Sequence, residues 1–233
     1  GAAVLVTTIR ALKMHGGVAK DALAGENVQA VRDGLTNLKG HVENVSQFGV
    51  PVVVAVNRFT SDSDAEVRTV LDACAEWGVS AVEADPWGGG GGGCLELADA
   101  VWDELEAGEA EFTPLYRDDA PLAEKMETVA RKVYGADGVD FGPGVLAELG
   151  RLEDLGMGRF PVCMAKTQYS FSDDPSLMGR PKDFRVTVGN VWPSAGAGFV
   201  VAQTGSIMIM PGLAARPAAE GMDLVDGEIV GLS

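Results

Sequence analysis

A chain of 233 residues, 46% of them hydrophobic, can bury one large core or two to three small ones. The formal net charge of −16 argues against nucleic acid as a partner and leaves any anionic substrate to be met by local donors. No apolar run approaches the ~20 residues that span a bilayer, and Gly1-Ala2-Ala3-Val4-Leu5-Val6 lacks the basic region of a signal peptide. Three cysteines (Cys74, Cys94, Cys163) without Cys-x-x-Cys spacing give neither a disulfide framework nor a zinc site, so a reducing cytoplasm is the expected compartment.

Ala2 to Thr8 reads as a short strand. After a glycine-punctuated loop, Val28, Val31, Leu35, Leu38, Val42, Val45 and Phe48 recur at steps of three and four, one apolar stripe of a helix closed by Gly49. Val52 to Val56 is too apolar for a half-exposed strand and predicts one buried on both faces. Ser63 with Glu66 is a capping-box pair, opening a helix whose Val67, Val70, Leu71, Cys74 and Trp77 face inward. Gly78 stops it, and Val79 to Val82 gives a third strand. Asp85-Pro86-Trp87 leads into six glycines, followed by a helix carrying Leu95, Ala98, Val101 and Leu105. Strand and helix thus alternate, which predicts an α/β fold with a parallel sheet over residues 1–110.

A composition break at Gly108 to Pro114 marks the first boundary. Residues 111–165 read as a small α+β module, with one helix after Pro121 and a second from Pro143 to Leu155. Residues 166–233 read as a β-rich module, and Pro161 to Ala165, Phe184 to Val191, Phe199 to Thr204 and Ser206 to Met210 are the strands of this last part of the chain. Asp226-Gly227 is a hairpin turn.

Ligands of open parallel sheets bind beyond the carboxyl ends of the strands. Phe59 and Trp87 both sit just past such ends, where two rings can sandwich a planar heterocycle or simply anchor loops over the sheet edge. Gly88 to Gly93 is either an anion cradle of backbone N–H groups or a flexible lid; no Lys-Ser or Lys-Thr follows it, so it is not a Walker loop. Gly196 and Gly198 mark a tight turn. His15 follows a strand end and is a site candidate, whereas His41 lies on the outer, solvated side of its helix. Lys166 reads as a surface residue, with anion binding as the alternative. Asp62, Asp64, Asp173 and Asp174 suit capping and turns as well as a cation. No Ser/His/Asp or Cys/His arrangement suggests covalent catalysis.

Several stretches together resemble the formate–tetrahydrofolate ligases: Arg10 to Gly17 (Arg-Ala-Leu-Lys-Met-His-Gly-Gly), Phe48 to Asn57, Tyr134 to Gly138, Pro161 to Gln168, Ser194 to Phe199 and Met210 to Leu213. Gly231-Leu232-Ser233 resembles the Gly-Leu-Phe that ends chains of that family. The resemblance implies ligation of formate to tetrahydrofolate with ATP through formyl phosphate, with Mg2+ and a stimulating monovalent cation, in a cytoplasmic homo-oligomer without membrane or nucleic-acid partners. It implies that Phe59 and Trp87 stack the folate, with Asn57, Gly88, Gly89, Gly90, Gly91 and His15 as possible loop contacts. Thr60 stands where a Pro often follows the Phe, and Gly88-Gly89 replace an Ala and a polar residue, so a looser loop is expected. The family's phosphate-binding loop, G-x-x-x-x-G-K-S/T, does not occur in this sequence. The resemblance therefore implies the second half of a P-loop-type nucleotide domain followed by smaller α+β modules. On that reading the remaining half lies in a preceding segment or a companion chain, no catalytic residue is assigned here, and the isolated chain is inactive. The alternative is a non-catalytic pterin-binding or assembly module.

Overall fold

The computed structural model describes residues 1–205, 207 and 215–231. Its first unit runs β1 (Ala3–Thr7), α1 (Ile9–His15), α2 (Val28–Ser46), β2 (Val52–Asn57), α3 (Asp64–Glu76), β3 (Ser80–Ala84), the single turn α4 (Pro86–Gly89) and α5 (Leu95–Ala107). The three strands form one parallel sheet in the order β1-β2-β3. β2 is central, and Val52 to Val56 are buried on both faces, as the unbroken apolar run predicts. Val52, Val54 and Val56 pack under Ile9, Leu12, Val31, Leu38, Val67 and Val70 of α1, α2 and α3. Val53 and Ala55 point the other way, toward the face where α5 packs on β2 and β3. β1 is an edge strand whose Val4 and Val6 remain exposed on that second face.

Local chemistry fixes the helix ends. The expected capping box of Ser63 and Glu66 opens α3. Asn27 caps α2 by accepting from the Ala30 N–H at 2.9 Å, and Gly49 follows that helix with φ +67°. The helix α1 was not legible from periodicity, because a seven-residue helix shows barely two turns of pattern; Thr8 caps it. It crosses α2 closely, since a Cβ on Gly16 would lie 2.0 Å from the Ala30 carbonyl and one on Gly34 would lie 2.0 Å from that of Leu12.

The second unit contains α6 (Leu122–Val129), β4 (Val139–Phe141), α7 (Val145–Leu152), β5 (Val162–Ala165), β6 (Val186–Ser194) and β7 (Phe199–Thr204). Both helices run on into π-type turns, over Ala130–Tyr134 and Glu153–Met157. The strands form one sheet in the order β4-β6-β7-β5, with β6 antiparallel to β7 and the outer pairs parallel. Leu122, Met126, Leu149 and Leu152 pack on Val186, Val188, Val200 and Ala202. One sheet and one core therefore draw on both sides of position 165. A separate hairpin, β8 (Asp223–Val225) and β9 (Glu228–Val230), turns at Asp226-Gly227, both at positive φ, as that dipeptide predicts. Apart from Ile207, the strand expected at 206–210 lies outside the described residues; so do the stretch 210–213 and the last two residues.

The segment between β5 and β6 binds the two units together. Gly179 accepts from the Asn37 side chain at 3.1 Å and donates its N–H to His15 Nδ1 at 3.1 Å, and Arg180 pairs with Glu43.

Candidate functional site

β2 and β3 are hydrogen-bonded neighbours with Asn57 opposite Ala84, so the two loops leaving the sheet start side by side. The Arg58 N–H donates to the Ala84 carbonyl at 3.0 Å, which ties the loop roots together. Beyond Arg58 the chain makes a tight turn: the Phe59 N–H donates to Asp62 Oδ2 at 2.9 Å, and the Asp62 N–H donates back to the Phe59 carbonyl at 3.0 Å. Asp62 is thus a buried turn residue, one of the two roles foreseen for it.

On the β3 side, Asp85 closes the glycine loop at both ends. Its carboxylate accepts from the Gly88 N–H at 2.7 Å, and its own N–H donates to the Gly93 carbonyl at 3.0 Å. A Cβ on Gly93 would sit 2.1 Å from the Asp85 carbonyl, so the return of the loop requires glycine there. The N–H groups of Gly88 and Gly89 are thus both taken by Asp85. Side-chain space is open around Gly89, Gly90, Gly91 and Gly92.

Between the two loops lies a crevice of about 630 Å³ whose walls include Asn57, Phe59, Thr60, Pro86, Trp87 and Gly88. Phe59 is 40% exposed and Trp87 89% exposed, a large apolar surface left open to solvent beside a cavity. Arg58 braces the floor through Glu83 at 3.0 Å and Asp64 at 2.5 Å. Phe59, Trp87, Asn57 and Gly88 line this crevice together, and Gly89, Gly90 and Gly91 are not among its walls. The Asp85 clamp was missed, although an Asp before a Pro at the first helical position is a cap signature.

His15 lies elsewhere. Its Nδ1 accepts from Gly179, an architectural contact that requires an unprotonated nitrogen. Burial pushes its pKa below the ordinary 6.5. His41 is exposed, as expected, with its ring 4.5 Å from that of Phe171; desolvation, then the charges of His15 and Lys166, lower its pKa too. Both groups bind protons more readily when unfolded. Stability is therefore expected to fall as pH drops through 6.5 toward the lower folded values. Urea midpoints for the parent and for His15→Gln/His41→Gln, taken between pH 8 and 5.5, test this (about pH values spanning the ordinary His range); parallel pH dependences would contradict it.

Lys166 also differs from its surface reading. Its ammonium donates to the carbonyls of Thr167 and Ser170, lies 5.1 Å over the Tyr134 ring, and is pushed down by burial to about 8. Asp173 accepts from the Thr187 N–H of β6, a contact across fourteen residues, while Asp174 accepts from the Ser176 N–H in a local turn.

A family model described as formate–tetrahydrofolate ligase matches residues 1–233, the whole chain. The chain belongs to the formate–tetrahydrofolate ligase family. Membership implies ligation of formate to tetrahydrofolate with use of ATP. No G-x-x-x-x-G-K-S/T stretch occurs in the sequence. Among the described residues no three His, Cys, Asp or Glu side chains converge as metal ligands. No helix among them is long and apolar enough to cross a membrane.

Proposed function

We propose that the crevice at the ends of β2 and β3 is the folate platform of the ligase, with the pterin ring between Phe59 and Trp87. The observation that carries this reading is that adjacent strand ends deliver both rings to one crevice. Each stacking face contributes about 0.5–1.5 kcal/mol beyond area burial. Asn57 offers polar groups for the edge of the heterocycle, and the open space at Gly89 and Gly91 lets Trp87 adjust over it. Gly90 turns the loop at φ +54°. His15 stays structural.

Formyl phosphate forms where ATP is bound, on a phosphate loop supplied by a preceding segment or a companion chain. Mg2+ and the monovalent cation belong to that part. The role of residues 1–233 is to hold folate so that its amine nitrogen attacks the formyl carbon as phosphate leaves and the amine proton is lost. The open edge of β1, with Val4 and Val6 exposed, is the place for the neighbouring half. Homo-oligomer formation and a cytoplasmic setting accord with this reading.

The 233-residue chain alone is then expected to make no 10-formyltetrahydrofolate from ATP, formate and tetrahydrofolate, because no positioned donors surround the phosphates. Coupled assay of material proven pure by intact mass tests this. Robust turnover by that polypeptide would contradict the assignment, and activity restored by a chain carrying the phosphate loop would support it.

A further inference from the structure

Phe59 is a wall shared by two cavities. Behind it, at the end of β1, a second cavity of about 370 Å³ is lined by Arg10, Ala11, Met14, Lys20 and Leu23. Its polar character comes from two cations. The Arg10 guanidinium lies 5.6 Å over the Phe59 ring, and the Lys20 ammonium lies 5.3 Å over the Tyr169 ring. A cation held over an aromatic face keeps N–H donors free for another acceptor. Neither group forms an ion pair or a side-chain hydrogen bond among the described residues, and the exposed Asp21 beside Lys20 forms no ion pair either.

The positions are held by buried structure. Lys13, one turn after Arg10 on α1, donates to the carbonyls of Leu23 at 3.1 Å and Gly25 at 2.9 Å, fixing the turn that carries Lys20. The Phe59 turn is fixed by Asp62. In a chain of net charge −16, two unpaired cations in one cavity make a local exception to a field that repels anions.

We propose that Arg10 and Lys20 form an anion subsite for an oxyanion group of the ligand seated across Phe59. This rests on the folate reading of the crevice. Two sources share the chemistry: the carboxylates of the folate glutamate tail, and a phosphate group. Either is met by charge-assisted N–H donors at a distance from the stacked ring that the heterocycle itself does not fill.

The test is fluorescence titration of the full chain and of Arg10→Gln/Lys20→Gln. The probes are tetrahydrofolate monoglutamate, its triglutamate and a tail-less tetrahydropterin, with inorganic phosphate as competitor. Loss of the two donors should weaken tail-bearing ligands about tenfold and leave the tail-less pterin unchanged, with salt sensitivity lost in parallel. Competition by phosphate that disappears in the variant, with monoglutamate and triglutamate bound alike, assigns the subsite to a phosphate instead. Unchanged binding of all three pterins together with unchanged phosphate competition overturns the proposal. If the parent binds no pterin, the platform reading fails, and the subsite stands or falls on 31P line broadening of phosphate by parent against variant. Arg10→Lys, which keeps the charge, should retain most of the affinity, and Lys20→Gln alone, at an exposed position, replaces the double variant should that fail to fold, with a smaller loss for tail-bearing ligands expected.

Discussion

Replacing Lys13 by Met is expected to cost about 3–5 kcal/mol of folding stability. Lys13 and Glu66 are both 0% exposed, with Nζ and Oε1 2.6 Å apart. The pair sits at a junction of three elements. Lys13 holds the turn after α1 through two carbonyls, while Glu66 accepts from the N–H groups of Asn27 and Ser63 at 2.8 and 3.1 Å. Burial by itself pushes the Glu66 carboxyl up, but Lys13 and the two N–H donors together outweigh it and hold the group below its ordinary value. Removing the cation leaves a buried carboxylate without its partner. The loss in Lys13→Met should therefore shrink as the pH falls and Glu66 becomes neutral. Glu66→Gln should also destabilise, by leaving an ammonium with neutral acceptors alone. The double change Lys13→Met/Glu66→Gln should be far less than additive. Single variants with urea midpoints within about 1 kcal/mol of the parent, as for a solvated pair, would show that the pair is not buried in solution.

Trp87→Ala should weaken tetrahydrofolate binding by about 1–3 kcal/mol, combining lost stacking with lost apolar contact. Because Trp87 is 89% exposed and packs into no core cluster, the fold should not notice the change. Phe59→Ala should have a similar or smaller effect, since that ring is more buried and backed by Arg10. The two losses should sum to less than their parts because both faces belong to one ligand. Binding to the separate variants, in this chain and in an assembly that turns over, gives the measurement. Normal folate affinity in both variants would show that the two rings are loop anchors.

The parts of the fold that were legible in the sequence are those whose signal is local. Val52 to Val56 is an uninterrupted apolar run, Ser63 and Glu66 are three apart on one turn, and Asp226-Gly227 demands positive φ. Phe59 and Trp87 were legible for a different reason: position at strand ends is a sequence property, and β2 and β3 proved to be neighbours. What could not be read depends on contacts between distant residues. In the Arg10 to Gly17 signature, His15 looked like a site residue because it follows a strand end. In the structure its Lys13 reaches Glu66, its His15 reaches Gly179 and its Gly16 admits the Ala30 backbone. Arg10 of that stretch lies over the Phe59 ring, and with Ala11 and Met14 it lines the cavity behind that ring. Lys166 likewise carries no local sign that the Tyr134 ring and two carbonyls enclose it. The strand order β4-β6-β7-β5 of the second sheet pairs strands distant in sequence, which short local patterns do not encode.

The pterin clamp is tested most directly by 19F NMR of the chain with its four tryptophans as 5-fluorotryptophan, titrated with tetrahydrofolate. The Trp87 resonance, assigned through Trp87→Phe, should shift and saturate with the ligand, and Phe59→Ala should move its midpoint to higher concentration. Trp77, which closes α3 beneath the Lys39 ammonium and away from the crevice, should stay fixed. A Trp87 signal unmoved at saturating folate, with Trp77, Trp102 or Trp192 shifting instead, would contradict the assignment of the crevice.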